Sequence, residues 1–430
     1  MSIQMIKFAV HEHQTPMDCQ DSCTYTTTPS GLFRGIVRDG VREFRGITFA
    51  RYSRLSESVM ETPEGQVDAT EYGCVPPQRS CRLESTIGKE LGSRMEEGRL
   101  CLTVYSPENA EKLPVMVWIH GGSFLTGGSE EKRYSGRRLV KAGGVVVVKI
   151  SYRLGALGFL YAPDKGAVNL GLKDQRLALE WIRLNISEFG GDPDNITIFG
   201  QSAGALSAAA LVATAVTKLP FNKVILQSAP LGMRTSPAKA ARMTEKFLSI
   251  LGKDPMEASL DEILDAQDQM KGMNLGVPFM PMVEDFLHVP ECIRGCGLKA
   301  VAGWATEDAS PFLKDILGRK LGSRFGRALV HRTTKRIFIK GTRRYIARLR
   351  EAGLEACGYE ICWHPKGNPL GACHCIEMPF ILGERDDWAE SGMLRGAEED
   401  EYSRNEEDLT RIWTTFAKEG IFQHYGVIGE

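Results

Sequence analysis

Asn195-Ile-Thr-Ile-Phe-Gly-Gln-Ser-Ala-Gly204, followed at once by Ala205-Leu-Ser-Ala-Ala-Ala-Leu-Val-Ala213, decides the fold. Asn195–Phe199 is rich in β-branched and aromatic residues and reads as a short strand. The small apolar residues after it read as a helix to about Thr217. Between them, Gly200-Gln201-Ser202-Ala203-Gly204 fits G-x-S-x-G, in which a serine stands at the apex of a strand-to-helix turn. The turn is too tight for side chains at its flanks, so glycine holds both ends and Ser202 is exposed. The helix that follows directs its unpaired N–H groups and positive dipole end at the serine.

The same alternation extends on both sides. Pro114-Val-Met-Val-Trp-Ile119, Val145-Val-Val-Val-Lys-Ile-Ser-Tyr152 and Lys223-Val-Ile-Leu-Gln227 are apolar strand-like runs, and Gln175–Glu188 reads as a helix. Strands apolar on both faces and separated by helices indicate a mostly parallel, twisted sheet with helices on both faces. Chemistry in such sheets sits at the C-terminal ends of strands. His120-Gly121-Gly122-Ser123-Phe124 follows one of them and reads as a glycine-rich loop whose backbone N–H groups stabilise an oxyanion. Gly121 and Gly122 are expected to supply two donors and Ala203 N–H a third. His120 is expected to shape the loop rather than to act on substrate.

Composition narrows the field. The chain has 430 residues, 43% apolar and 25% charged, which fits a folded globular protein and excludes a low-complexity one. A net charge of −1 gives no electrostatic reason to expect nucleic acid or an anionic membrane as a partner. The basic stretch Arg319–Arg350 is read as a solvated helix face. No run reaches the roughly 18 apolar residues of a membrane span. Met1–Val10 lacks the apolar core of a secretory signal, and eleven cysteines at irregular spacing fit free thiols, so a cytoplasmic setting is expected.

These motifs and their surroundings resemble the type-B carboxylesterase family, which includes cholinesterases and bacterial esterases. The densest match runs from Asn169-Leu-Gly-Leu-Lys-Asp-Gln-Arg-Leu-Ala-Leu-Glu-Trp-Ile182 through Phe189-Gly-Gly-Asp-Pro-Asp-Asn-Ile-Thr-Ile-Phe-Gly-Gln-Ser-Ala-Gly204. Ser151-Tyr-Arg-Leu-Gly-Ala-Leu-Gly-Phe159 and Phe44-Arg-Gly-Ile-Thr-Phe-Ala50 add to it. The resemblance implies an α/β-hydrolase fold, a single domain over 1–430, and a reduced helical cap inserted around 234–350. It implies hydrolysis of a small-molecule ester through an acyl-enzyme on Ser202, without cofactor or metal. Gly371-Ala-Cys-His374-Cys-Ile-Glu377 resembles the family's Gly-x-x-His-x-x-Glu, which makes His374 the base. Gly303-Trp-Ala-Thr-Glu307-Asp308 resembles the segment bearing the acid; register favours Asp308, with Glu307 the alternative. Ser228 matches a serine near the triad in relatives, and Arg153 and Asp174 resemble a structural ion pair.

The chain departs from the family in three places. Gln201 stands where many relatives have Glu, so the pocket is expected to be less negative and not to favour cationic choline esters. Pro76 and Arg99 occupy the positions of the family's N-terminal disulfide. The chain is shorter between Ser202 and His374, which implies an open gorge. Two other readings compete with an esterase: a non-catalytic binding protein of the same fold, and a hydrolase of amides, thioesters or carbamates. Cys357, Cys362, Cys373, His374 and Cys375 match no common zinc spacing.

Overall fold

The computed structural model describes residues 22–89, 93–270, 272–422 and 426–428. Met1–Val10, on which the reading of the N-terminus rests, lies outside them. Thirteen strands of the described residues form one sheet. They are β1 (Ser22–Thr28), β2 (Gly31–Arg38), β3 (Val41–Arg51), β4 (Val59–Met60), β5 (Gln66–Asp68), β6 (Arg99–Pro107) and β7 (Leu113–Ile119). There follow β8 (Val146–Ile150), β9 (Gly191–Gln201), β10 (Lys223–Gln227), β11 (Lys299–Ala305), β12 (Glu355–Ile361) and β13 (Gly426–Ile428). The main order is β1-β2-β3-β6-β8-β7-β9-β10-β11-β12-β13, with β4 on β3 and β5 on β2. From β8 to β13 every pairing is parallel, whereas β1, β2, β3, β6 and β8 pair antiparallel in that order.

Alternation along the central strands divides the core in two. Val115, Val117 and Ile119 face one cluster with Val146, Val148, Ile198 and the helix Ala203–Ala213. Met116, Trp118, Val147 and Phe199 face the other, with Leu139 and Trp413 from helices on the opposite side. Successive side chains of a strand point to opposite faces. A run such as Val146–Ile150 is therefore apolar throughout because both faces are covered.

Two helix boundaries differ from the sequence reading. The helix expected over Gln175–Glu188 spans Leu170–Asn185 and closes in a tighter turn, Ile186–Phe189. It starts earlier because Leu170 and Leu172 belong to its buried face. The helix after Ser202 stops at Ala213 rather than near Thr217. There Thr214 donates back to the Ala210 carbonyl, and Arg176 donates to the Thr214 carbonyl, so the chain leaves the helix with those groups paired.

The segment 234–350 is helical on either side of one strand. That strand is β11, paired between β10 and β12 within the sheet. The helices Pro237–Leu251 and Leu260–Asp268 precede β11, and Ser310–Leu317, Arg324–Thr334 and Lys340–Glu351 follow it. In the last two, Val330, Tyr345, Ile346 and Leu349 are buried and the arginines and lysines are exposed. The basic stretch is thus the outer face of amphipathic helices.

The Arg153–Asp174 pair is fully buried, with Nε and Nη2 donating to the two carboxylate oxygens at 2.8 and 2.7 Å. Ser58 and the Ser56 carbonyl take up the remaining polar contacts and tie the loop after β3 to the helix Leu170–Asn185. A two-oxygen pairing of this kind offsets the cost of burying both charges. Cys74 and Cys101 face each other with their sulfurs 3.5 Å apart, each two residues from the positions Pro76 and Arg99.

Candidate active site

Ser202 sits at the end of β9 with φ 57° and ψ −117°, a conformation that side chains rarely adopt. Its N–H donates to the Gln227 carbonyl at 2.9 Å, and its carbonyl accepts from Leu206 N–H, so the turn is held from both sides. A Cβ on Gly204 would lie 1.9 Å from the Ile119 carbonyl oxygen, which explains the glycine after the serine. The eleven-residue helix Ala203–Ala213 is buried along its whole length and starts at Ser202.

The loop after β7 comes up beside it. A Cβ on Gly121 would sit 3.4 Å from Ser202 Cβ, and one on Gly122 (φ +106°) would collide with the Thr126 carbonyl. The Gly122 carbonyl accepts from Leu125 and Thr126 N–H, which curls the loop toward the serine. His120 lies behind it, stacked on Tyr152 with ring centres 4.4 Å apart. Burial pushes the His120 imidazole down to about 4, so it is neutral and serves as a prop.

His374 and Asp308 arrive from β12 and β11. His374 Nδ1 lies 2.7 Å from Asp308 Oδ1, and both residues are buried. The other carboxylate oxygen, Oδ2, accepts from Ala305 N–H at 2.9 Å. Glu307 is turned elsewhere: its carboxylate accepts from Ala372 N–H at 2.9 Å and joins β11 to the loop that carries His374. Ser228 follows β10, with its N–H bonded to the Gly303 carbonyl.

Gln201 makes a contact the sequence did not announce. Its Nε2 lies 3.0 Å from His374 Nε2. A carboxamide nitrogen only donates, so the imidazole nitrogen accepts and carries no proton. The proton is then on Nδ1, pointing at Asp308.

Two aromatic rings enclose the imidazole, Phe312 at 5.0 Å and Phe338 at 5.3 Å between ring centres. Phe338 is placed by a π-helical turn, Lys335–Ile339, between the helices Arg324–Thr334 and Lys340–Glu351. A cleft with two lobes opens over Ser202. The narrower, about 70 Å³, runs along Gly121, Gly122 and His374; the wider, about 280 Å³, is walled by Leu206, Met233, Phe312 and Phe338. Among the described residues no three His, Cys, Asp or Glu side chains group as metal ligands would.

The sequence profile described as the Carboxylesterase family matches residues 22–320. The chain belongs to that family. It is a serine carboxylesterase, a hydrolase of carboxylic esters. The esterase is 35% identical to "Probable N-octanoylanthranilate hydrolase AqdA2" of Rhodococcus erythropolis, with 92% of each chain covered. It is 33% identical to para-nitrobenzyl esterase of Bacillus subtilis, over 92% of this chain and 89% of that one. Among solved structures, a thermophilic para-nitrobenzyl esterase superposes with a TM-score of 0.81 at 30% identity, covering 93% of this chain and 92% of the other. A carboxylesterase of Geobacillus stearothermophilus gives 0.78 at 27%, with 93% and 92% covered. The esterase has the α/β-hydrolase fold of these relatives. No helix of its described residues is long and apolar enough to cross a membrane.

Behind the imidazole of the esterase, Glu377 is wholly buried and accepts from Gln227 Nε2 at 3.2 Å. Burial pushes its carboxyl up to about 7, from an ordinary value of 4.5. Between those two pH values the folded chain holds a proton that the unfolded chain has released. Stability is therefore greatest below the ordinary value and is lost as pH rises through 7, by about 3 kcal/mol at most. The melting temperature of wild type should fall more steeply from about pH 5 to 8 than that of Glu377→Gln, which carries no such proton. Parallel curves would show that Glu377 is ionised in the fold.

Proposed function

We propose that Ser202, His374 and Asp308 form the catalytic triad, with Gly121, Gly122 and Ala203 N–H as the oxyanion hole. The contact of 2.7 Å between His374 Nδ1 and Asp308 Oδ1, beside the cleft that Ser202 lines, carries the proposal. Ser202 Oγ attacks the ester carbonyl while His374 Nε2 takes its proton. Asp308 keeps the proton of the resting imidazole on Nδ1 and stabilises the imidazolium once it forms. Negative charge builds on the carbonyl oxygen, and the loop and helix N–H groups receive it without rearranging. His374 returns the proton to the leaving alcohol. Water then enters, is deprotonated by the same nitrogen and releases the acid. The helices flanking β11 form the cap of the single catalytic domain over 1–430. A cytoplasmic setting belongs to the same reading and rests on the cysteines of the described residues being thiols outside any disulfide, the facing pair Cys74 and Cys101 included.

Gln201 competes for the lone pair that Ser202 needs, so it is a positioning residue that must release Nε2 as the serine engages. Its replacement by Glu tests this role. A carboxylate at the same 3.0 Å would accept a proton from Nε2, favour imidazolium and leave less free base at a given pH. The acidic limb of the kcat/KM profile should then move up by about one pH unit. An unmoved limb would show that residue 201 does not touch the imidazole during turnover.

Hydrolysis of p-nitrophenyl acetate, butyrate and octanoate tests the proposal as a whole: the account requires turnover of at least one and its loss in Ser202→Ala. One relative is named for an N-octanoyl compound, so an N-acyl bond is the second reading of the cleaved bond.

A further inference from the structure

Arg82 lies on the chain between β5 and β6 and lines both lobes of the cleft, as Ser202 does. Its guanidinium carbon stands 5.0 Å over the ring of Phe312, the same ring that packs on His374. The cation is therefore fixed at the rim shared by the two lobes, within reach of a group bound beside Ser202.

The charges around it are uneven. In the wider lobe Arg82 is the one charged lining residue among the described residues. In the narrower lobe Glu131 is the other, and it is paired with Arg133 at 3.2 Å. No ion pair or hydrogen bond of Arg82 to another described side chain is formed; the groups whose fields reach it are Cys81 and then Asp315. Neighbouring arginines of the same surface are tied down: Arg79 to Asp261 and Asp265, Arg54 to Glu97. Arg82 is exposed at the mouth of the cleft, and a guanidinium does not release its proton at any ordinary pH. Its fork of N–H donors faces a site that accepts substrate, and those donors suit a planar carboxylate.

We propose that Arg82 is a specificity residue that recognises a carboxylate on the substrate, so that the enzyme prefers esters bearing a negative charge on the acyl or the leaving group. The inference rests on the triad reading above. Gln201 in place of Glu works in the same direction, since an acidic side chain beside His374 would repel such a substrate.

The test compares matched pairs on wild type, Arg82→Met and Arg82→Lys. For the leaving group the pair is 4-acetoxybenzoate and its methyl ester. For the acyl group it is mono-p-nitrophenyl adipate and p-nitrophenyl hexanoate. Each variant's anionic-to-neutral ratio of kcat/KM is taken within that variant, so partial loss of fold cancels. Arg82→Met should lower the ratio about tenfold in one pair, mainly through KM, and Arg82→Lys should retain part of it. The pair that responds identifies the side of the substrate that meets the arginine. Activity on all substrates with both ratios unchanged in Arg82→Met would overturn the proposal and leave the triad standing. Inactivity of wild type on every substrate, or full activity of Ser202→Ala, would overturn both.

Discussion

Ser202→Ala is expected to lower kcat for p-nitrophenyl butyrate by a factor on the order of 10⁶ while KM changes little. In the proposed triad the serine contributes a bond that forms only on the reaction path, so its loss is expected to remove transition-state stabilisation and spare ground-state binding. Some acceleration over water, roughly 10³-fold, should survive, because the N–H groups of Gly121, Gly122 and Ala203 do not depend on the hydroxyl. The substitution also removes little of the fold. The turn is held by backbone bonds of Ser202 to Gln227 and Leu206, which alanine keeps. Its φ of 57° is no worse for alanine than for serine. Loss of activity accompanied by an unchanged melting curve is the expected pair of results. Retention of more than about one-hundredth of wild-type kcat would mean that water or another group attacks the ester.

The second large effect separates two adjacent acids. Asp308→Asn should reduce kcat about 10⁴-fold, and Glu307→Gln less than about tenfold. Asp308 accepts the Nδ1 proton of His374, and a carboxamide there can offer its own N–H instead. The imidazole would then protonate Nε2 and lose the lone pair that takes the serine proton. Glu307 holds the Ala372 N–H, a bond that the carbonyl oxygen of glutamine reproduces. Comparable losses in both variants would place the acid function on the pair rather than on Asp308.

How much of this was legible follows from how local each signal is. The turn at Ser202 was legible because its glycines, strand and helix are contiguous and obey steric rules within ten residues of chain. The parallel half of the sheet was legible from apolar runs such as Val145–Ile150, which a two-sided burial demands. His374 and Asp308 carry no local signature; only the resemblance brought them together across 66 residues. The antiparallel half from β1 to β6 was less visible, since strands bounded by glycine do not declare their partners. Nothing in the apolar run Lys299–Ala305 says that it pairs inside the sheet and so divides the helical segment.

The walls of the site were the least legible. Arg82, Phe312 and Phe338 meet through long-range packing of three separate segments, and Phe338 owes its position to a π turn that has no distinctive sequence. The contact of Gln201 with His374 had a partial signal, because a residue beside the nucleophile in the strand must lie near the base. The facing thiols of Cys74 and Cys101 lie 27 residues apart with no local signal, and the isolated bridge between Val75 and Met95 brings the two segments together.

Covalent capture tests the central claim most directly. The enzyme is treated with diethyl p-nitrophenyl phosphate, residual activity is followed, and the protein is digested and mapped by mass. The account predicts one diethylphosphoryl group on the peptide containing Ser202, accumulating in proportion to the activity lost, with none in His374→Ala over the same time. Full inactivation with Ser202 unmodified, or a label on another residue that tracks the loss, would contradict it.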